Sequence, residues 1–412
     1  MSGVETGGLR ERVKALPGLD RVLPELEGLP PAFLVGGAVR DLLRGASAVD
    51  LDVAVEGDAP AAARTLAERL GGAAVEHERF GTATLRANGI VLDLATTRRE
   101  RYPQPGALPA VEPAALADDL VRRDFTINAM AVGLSGSDLG RLHDPHGGLA
   151  DLEAGTVRVL HPRSFLDDPT RLLRAVRYEA RLGFRIHAGT ERLAREAAAG
   201  PALGTVSGKR VRDELMDLLS ETEAPAAVWR LRDLGLDRAL HPALRADPDL
   251  VASTQLGCAE TGADPGLAAL AALVSGDPGA AAAWVEELQL TRDERDAVLR
   301  AAARAPALAA ALDDRLRPSE LSDLLAPEPP EALALALGLG APAEPLLRWT
   351  SDLRQVRLEI GGHDLRAAGI PESPALGAAL DDTLRRKLDG ELAGREEELQ
   401  AALARAREEA DR

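Results

Sequence analysis

Strand-forming patterns in this sequence are confined to its first 150 residues. Short β-branched or alternating apolar runs occur at residues 33–35, 49–55, 82–86 and 90–94, and Asn88-Gly89 separates the last two as a hairpin turn would. From about residue 163 to the end, Ala/Leu/Arg/Glu-rich patterns of helical period replace them. This order predicts an α+β chain, in which a small mixed sheet with helices comes first and an all-α region follows.

The composition narrows the compartment and the class of partner. Cys258 is the single cysteine among 412 residues, which excludes an intrachain disulfide framework and a multi-cysteine zinc site. No apolar run approaches the roughly 20 residues that a membrane-spanning helix needs, so we expect a cytoplasmic protein without a membrane segment. The net charge of −17 argues against nucleic-acid binding through bulk charge, although a local basic patch remains possible.

A strand-to-helix junction carries the first chemical signal. Residues 33–35 run into Gly36-Gly37 and then into a helical pattern that contains Arg40 and Asp41. Residues without side chains let a phosphate approach the free backbone N–H groups of a helix start, and Arg40 would add a charged clamp. The alternative is an ordinary tight turn.

Two carboxylates on one strand carry the second signal. Asp50 and Asp52 share one face of the alternating run 49–55, whose other face is apolar. Side chains two residues apart on a strand lie roughly 7 Å apart, a spacing at which both can bind divalent ions for phosphoryl transfer. Asp93, within another apolar strand pattern, is a candidate third catalytic carboxylate. The alternative is an edge strand with a solvated acidic face.

A third cluster combines paired arginines with one of only two asparagines in the chain. Its composition suits the triphosphate and ribose of a nucleotide. The alternative is a charged helix start that Asp124 caps. The candidate residues are Arg122, Arg123, Asp124 and Asn128.

Residues 167–184 carry the most informative pattern. Asp168 suits an N-cap and Pro169 the first helical position. At 100° per residue one helix face then collects four arginines and a tyrosine, opposite an apolar face. Residues 155–215 hold 12 Lys plus Arg against 7 acids, a net +5 inside a −17 protein, and this polarity is typical of a phosphate-binding region. The alternative is a solvated arginine face. The residues on the basic face are Arg171, Arg174, Arg177, Tyr178 and Arg181.

Taken in order, these motifs resemble the class II tRNA nucleotidyltransferase and poly(A) polymerase family, within the polymerase-β-like nucleotidyltransferases. The resemblance is strong over about residues 30–235. It implies that Asp50 and Asp52 bind two Mg²⁺ ions, and that Asp168 and Arg171 pair with the base edge of ATP or CTP as a protein template. It also implies that the triphosphate, ribose and remaining nucleotide contacts come from Gly36, Gly37, Arg40, Asp41, Arg122, Arg123, Asp124, Asn128, Arg174 and Arg177.

Further candidates and departures follow from the same resemblance. RNA-binding candidates are Arg181, Lys209, Arg210 and Arg212. The segment 102–109 is rich in proline and differs from the charged flexible loop expected of enzymes that add all of C, C and A. The product therefore stays open among CCA, CC, A and poly(A).

The resemblance implies a fold and an activity for the whole chain. We expect a nucleotidyltransferase head at residues 1–150, a helical neck at 151–235, a helical body at 236–345 and a helical tail at 346–412. The expected reaction adds C, A or both from CTP and ATP to a tRNA 3′ end and releases pyrophosphate, with no obligate protein partner. The alternatives are poly(A) polymerization, a catalytically silent RNA-binding homologue and a small-molecule nucleotidyltransferase.

Overall fold

The computed structural model describes residues 8–46, 51–77 and 81–410, so Asp50 lies outside the described residues. The chain divides into two compact units, residues 1–214 with 230–240 and residues 215–229 with 241–412. The predicted division into head, neck, body and tail is finer than these units and stays a prediction. In the described ranges, no helix has both the length and the apolar character that crossing a bilayer requires.

A mixed sheet lies at the centre of the first unit. Its seven described strands have the order β3-β4-β5-β2-β1-β8-β9, in which β2 and β5 are parallel and the other neighbours are antiparallel. Separate two-stranded pairs are β6 with β7 and β10 with β11. The strands are β1 (Ala32–Val35), β2 (Asp52–Val55), β3 (Ala73–His77), β4 (Thr82–Ala87), β5 (Ile90–Thr96), β6 (Arg98–Arg101), β7 (Ala110–Pro113), β8 (Ala131–Gly133), β9 (Leu142–His143), β10 (Thr156–Val157) and β11 (Arg185–Ile186).

Helices pack against this sheet, and further helices follow its last strand along the chain. Helices α10 and α11 contain residues of both units. The first twelve helices are α1 (Leu9–Lys14), α2 (Leu19–Glu25), α3 (Gly37–Leu43), α4 (Ala59–Leu70), α5 (Leu116–Val121), α6 (Gly148–Glu153), α7 (Ser164–Asp167), α8 (Arg171–Leu182), α9 (Ala188–Ala198), α10 (Gly208–Leu219), α11 (Ala224–Asp233) and α12 (Leu236–Leu240).

Sequence patterns explain how the sheet is built. All four residues of β1 are buried, which fits an apolar run at the centre of a sheet. Asn88 and Gly89 have φ values of 49° and 81°, as a two-residue hairpin turn between right-twisted strands requires, and β4 and β5 pair across them. The predicted α+β fold with a mixed sheet is confirmed.

Three local expectations differ from the structure. The strand expected at residues 49–55 begins at Asp52 within the described residues. A short strand, β11, lies beyond residue 163 and pairs with β10. The sequence did not predict this strand, because two residues are too few to produce an alternating pattern. Helix α8 begins at Arg171 with Thr170 at its N-cap. The helix therefore begins two residues later than predicted. Asp168 is extended, and its Oδ1 accepts bonds from the backbone N–H of Thr170 at 3.0 Å and from its hydroxyl at 2.6 Å, as the side chain of an N-cap does.

Every secondary-structure element in the described part of the second unit is a helix. Three of its helices begin with Asp-Pro. Asp247, Asp264 and Asp277 accept bonds from backbone N–H groups of the first turn. Proline suits the next position because it has no N–H, and an N–H there would have no partner within the helix. Its remaining helices are α13 (Pro248–Thr261), α14 (Pro265–Val274), α15 (Pro278–Glu287), α16 (Arg292–Ala311), α17 (Pro318–Leu325), α18 (Pro330–Gly338), α19 (Ala343–Ser351), α20 (Gly362–Ala367), α21 (Pro374–Leu388) and α22 (Arg395–Ala410).

The central strand offers a test of the fold. Leu34 is fully buried on β1, whereas Val91 on β5 is 49% exposed. We expect Leu34→Ala to lower the free energy of unfolding by about 3 kcal/mol, because it removes apolar contacts and leaves a cavity. The matched Val91→Ala is expected to cost less than about 1 kcal/mol. Chemical denaturation measures both values, and equal costs would contradict the assigned burial.

Candidate active site

A cavity of about 600 Å³ in the first unit gathers most of the predicted site residues. The described part of its wall contains seven arginines and five carboxylates. Such a wall matches a strongly anionic ligand more closely than an apolar one. The charged residues are Arg40, Arg122, Arg123, Arg171, Arg174, Arg181 and Arg210, with Asp41, Asp52, Glu100, Asp124 and Asp168.

Gly36 brings the backbone of the β1–α3 junction to the cavity wall. Its φ of 69° and ψ of −137° lie in a region that residues with a Cβ avoid. A Cβ on Gly36 would also lie 3.0 Å from Nη1 of Arg123 and 4.0 Å from Oδ2 of Asp52. The backbone conformation therefore favours glycine at this position, and the side chains of Arg123 and Asp52 lie beside it.

Arg40 is buried and held on two sides. Its Nε and Nη2 donate to the two carboxylate oxygens of Asp41 at 2.9 and 3.0 Å, and its Nη1 donates to Oδ1 of Asn128 at 2.9 Å. Burial lowers the pKa of the Arg40 guanidinium, but the Asp41 carboxylate outweighs that effect and the pKa is raised. The charge of Arg40 is thus retained and its orientation is set.

Buried Asp124 and half-buried Arg174 form an ion pair in the wall of the cavity. Nε and Nη2 of Arg174 donate to Oδ2 of Asp124 at 2.9 and 2.7 Å. Oδ1 of Asp124 accepts from the Asn128 side chain at 3.0 Å and from the Phe125 backbone at 2.7 Å. Burial raises the pKa of Asp124, but Arg174 and Asn128 outweigh it, so the pKa lies below its ordinary value. Glu214 accepts a third bond from Arg174 at 2.9 Å.

The paired arginines contact carboxylates that sequence reasoning did not select. Asp119 accepts from Arg122 at 2.7 Å and from Arg123 at 2.9 Å, and Glu100 accepts from Arg122 at 3.0 Å. The i,i+3 and i,i+4 spacing of Asp119 to the arginines was a usable signal. Glu100 lies on β6 and had none, because 22 residues separate it from Arg122.

Both predicted template residues line the cavity and are held by other groups. Nη1 of Arg171 donates to Oγ of Ser164 at 2.8 Å, and its Nη2 donates to the backbone oxygen of Arg122 at 2.7 Å. Oδ1 of Asp168 accepts from Nη2 of Arg210 at 2.8 Å. The predicted arginine face of α8 is therefore only partly solvated, since Arg171 is buried and Arg181 is exposed.

The segment that departs from the family pattern forms a hairpin. Strands β6 and β7 pair, and Tyr102 and Pro109 from the loop between them line the cavity. Gly106 at φ 71° packs so closely on Thr205 that a Cβ would lie 2.1 Å from the Thr205 hydroxyl oxygen. Nη1 of Arg210 donates to the Gly106 carbonyl at 3.1 Å. Sequence reasoning did not assign Tyr102 or Pro109 to the site.

The metal-binding prediction concerns Asp50, Asp52 and Asp93. Asp52 on β2 and Asp93 on β5 are direct register partners on parallel strands, and Thr84 donates to Oδ1 of Asp93 at 2.6 Å. Asp93 does not line the main cavity. Together with Asp52 it lines a neighbouring cavity of about 410 Å³. Oxygen donors of this kind suit Mg²⁺. Among the described residues no group of three or more candidate ligands occurs, and Asp50 lies outside them.

Besides Asp93, three predicted residues do not belong to the described wall of the main cavity. Lys209 and Arg212 both contact Asp213, at 2.9 and 2.6 Å, and Arg177 approaches Glu214 at 3.4 Å. The predicted contacts of Lys209 and Arg212 with RNA, and of Arg177 with a nucleotide, stay predictions.

Comparison with known proteins identifies the family of this chain. The Poly A polymerase head domain family matches residues 32–158, and the family described as probable RNA and SrmB-binding site of polymerase A matches residues 183–247. The chain is 37% identical to the CC-adding tRNA nucleotidyltransferase of Deinococcus radiodurans over 90% of this chain and 88% of that protein. The chain belongs to the tRNA nucleotidyltransferase and poly(A) polymerase family.

Two further members of this family set the range of the likeness. The A-adding tRNA nucleotidyltransferase of Geobacter sulfurreducens is 36% identical over 96% of this chain, which spans 47% of that relative's length. A solved structure of a CCA-adding enzyme without ligand superposes with a TM-score of 0.83 at 32% identity, covering 98% of this chain and 100% of that one. The chain thus spans about half of the Geobacter relative, 88% of the Deinococcus relative and all of the solved chain.

Denaturation of this tRNA nucleotidyltransferase family member tests the ion pair between Asp124 and Arg174. We expect Asp124→Asn to lower the free energy of unfolding by about 3 kcal/mol at neutral pH, because it removes a buried carboxylate from the half-buried Arg174. The lowered pKa of Asp124 contributes stability above its unfolded value and loses it as pH falls through the folded value. The deficit of the variant should therefore shrink below about pH 4.

Asp213→Asn provides the matched control. Its carboxylate pairs with Lys209 and Arg212 at the surface, and exposed pairs contribute about 0.5 kcal/mol or less. Chemical denaturation at several pH values measures both variants. An Asp124→Asn deficit that does not depend on pH would contradict an ionised carboxylate at this position.

Proposed function

We propose that this chain adds C, A or both to the 3′ end of tRNA from CTP and ATP and releases pyrophosphate. The observation that carries the proposal is a single cavity whose wall includes Gly36, Asp52, Arg123, Asp168 and Arg171. These residues come from four separate motifs of the family. We assign these motifs to the phosphates, the bound metal and the base of a nucleoside triphosphate. The names of the relatives support the same reaction, since one is A-adding and another CC-adding.

The triphosphate is assigned to the end of the cavity near the β1–α3 junction. Backbone at Gly36 and Gly37 lets phosphate oxygens approach closely, and Arg40 and Arg123 supply positive charge there. Each guanidinium already has a carboxylate partner, Asp41 or Asp119. The arginines are thereby oriented before the nucleotide binds, which reduces the entropy lost on binding.

The base is assigned to Asp168 and Arg171. A carboxylate accepts a bond from an exocyclic amine, and a guanidinium donates to ring nitrogen and carbonyl positions. Cytosine and adenine both present an amine and a ring acceptor on the pairing edge, whereas uracil presents no amine. This pair therefore selects C and A over U without a nucleic-acid template.

Mg²⁺ is assigned to Asp52 together with Asp50, beside Asp93. Bound there, it would stabilise the negative charge that develops on the attacking and leaving oxygens. The proposed role of Asp93 is to orient the 3′-hydroxyl of the RNA, since its Oδ1 is fixed by Thr84. Asp52 belongs to the walls of both cavities, so we assign the nucleotide to one and the RNA end to the other.

Several supports point to tRNA as the acceptor. Residues 155–215 carry a net charge of +5, and the RNA-binding family match covers residues 183–247. Arg181 is exposed at the cavity and is the best-placed candidate for backbone phosphates. Polyadenylation, CC-only and A-only addition are variants of the same reaction. A cytoplasmic location is part of the proposal, and the buried lone thiol of Cys258 fits a reducing compartment.

Loss of the strand carboxylate tests the reaction. We expect Asp52→Asn to reduce incorporation of labelled CMP and AMP into tRNA at least about 1,000-fold, because charge stabilisation at the reacting phosphate is lost. The control Asp118→Asn removes a carboxylate that pairs with Arg99 outside the cavity, and it should retain activity. Incorporation by Asp52→Asn at the wild-type rate would contradict the proposal. Inactivity of the unmodified chain would favour a silent RNA-binding homologue.

Base selection and RNA binding should separate by mutation. Arg171→Lys keeps the charge but loses the planar donor fork, so we expect discrimination of C and A against U to fall about tenfold or more. Arg181→Ala should weaken tRNA binding, with a salt slope smaller by about one, and leave nucleotide choice unchanged. Filter binding at several salt concentrations and competition between nucleotides measure these effects. Identical behaviour of the two variants would contradict the division of roles.

A further inference from the structure

Tyr178 lies on α8 where arginines from two segments converge. The guanidinium carbons of Arg40, Arg174 and Arg177 lie 5.3, 5.5 and 5.6 Å from the centre of its ring. The ring is 8% exposed, lines the cavity and meets the edge of Phe125 at 5.8 Å. One aromatic ring thus contacts an arginine of α3 and two arginines of α8.

These contacts close a circuit of five side chains. Arg40 donates to Asn128 at 2.9 Å, Asn128 donates to Asp124 at 3.0 Å, and Arg174 donates to Asp124 at 2.7 Å. Arg174 also donates to the Tyr178 hydroxyl at 3.1 Å, and the Tyr178 ring returns the circuit to Arg40. Each member therefore limits the positions open to the next.

The ring contributes something that a carboxylate would not. Guanidinium groups brought close together repel one another, and the negative face of an aromatic ring attracts them without adding a formal charge. A further carboxylate here would cancel positive charge that an anionic ligand needs. A leucine of similar size would fill the space but would not attract the cations.

We infer that Tyr178 is a positioning residue that sets the separation of Arg40 and Arg174 for one nucleoside triphosphate. This inference rests on the proposed function, in which Arg40 binds the triphosphate and Arg174 belongs to the nucleotide pocket. Tyr178 acts through these arginines and reads no base. Its effect is therefore the same for ATP and CTP, and it lies in binding rather than in the chemical step.

Steady-state kinetics on two variants test the inference. Tyr178→Leu removes the ring and is expected to raise KM for ATP and for CTP by about tenfold each, since cation–π contacts of this kind are individually weak but three are lost. We expect kcat to change by less than about threefold. Tyr178→Phe keeps the ring and loses only the hydroxyl, so its KM should stay within about threefold of wild type.

A matched control separates positioning from packing. Trp284 in the second unit is also 8% exposed and stacks on His241, so Trp284→Leu likewise removes a buried aromatic ring. Thermal unfolding should show a loss of stability in both leucine variants, and only Tyr178→Leu should raise KM. Wild-type KM in Tyr178→Leu, or a Tyr178→Phe variant as impaired as Tyr178→Leu, would overturn the inference.

Equilibrium binding distinguishes this inference from the proposed reaction. Calorimetric titration with ATP needs no turnover, and Tyr178→Leu should bind ATP about tenfold more weakly than wild type. If the unmodified chain binds ATP but adds neither A nor C to tRNA, the proposed function is wrong. The comparison of ATP affinities between Tyr178→Leu and wild type then still tests the role of Tyr178. Equal affinities in the two proteins, or no binding by either, would overturn the inference itself.

Discussion

The ion pair between buried Asp124 and half-buried Arg174 is the interaction on which the site depends. The two residues are 50 positions apart in sequence, so their contact ties the segment that follows α5 to helix α8. Burying two charges is costly unless both are fully hydrogen-bonded, and here Asn128, the Phe125 backbone and Glu214 supply the remaining bonds. The same bonds place Arg40 and Arg174 on the wall of one cavity.

Charge in this chain is segregated rather than uniform. The total is −17, yet the described cavity wall holds seven arginines and five carboxylates. Pairs such as Arg123 with Asp119 hold the guanidinium groups in one orientation, so the entropy of ordering them is lost on folding and not on ligand binding. A ligand carrying several negative charges then meets donors that need little rearrangement, which is the requirement for binding a triphosphate.

Local signals in the sequence predicted four of the eleven described strands and the helical C-terminal region, and together with the family resemblance they predicted most of the cavity wall. Contacts between distant residues could not be predicted. Asn88-Gly89 gave the hairpin, because its turn requires two positive φ values. Glu100 had no local signal, because it meets Arg122 across 22 residues. The start of α8 was predicted two residues too early, although Asp168 does accept a bond from the Thr170 backbone. The bond that Asp168 accepts from Arg210 spans 42 residues and had no local signal. Such contacts form only when the chain is folded.

Sequencing of RNA 3′ ends tests the central claim most directly. The chain would be incubated with CTP, ATP, UTP and GTP and with tRNAs lacking zero, one, two or three terminal nucleotides. A protein template made of Asp168 and Arg171 predicts addition of C, A or both and no addition of U or G. Indiscriminate addition of all four nucleotides, or no addition to any of these tRNAs, would contradict it.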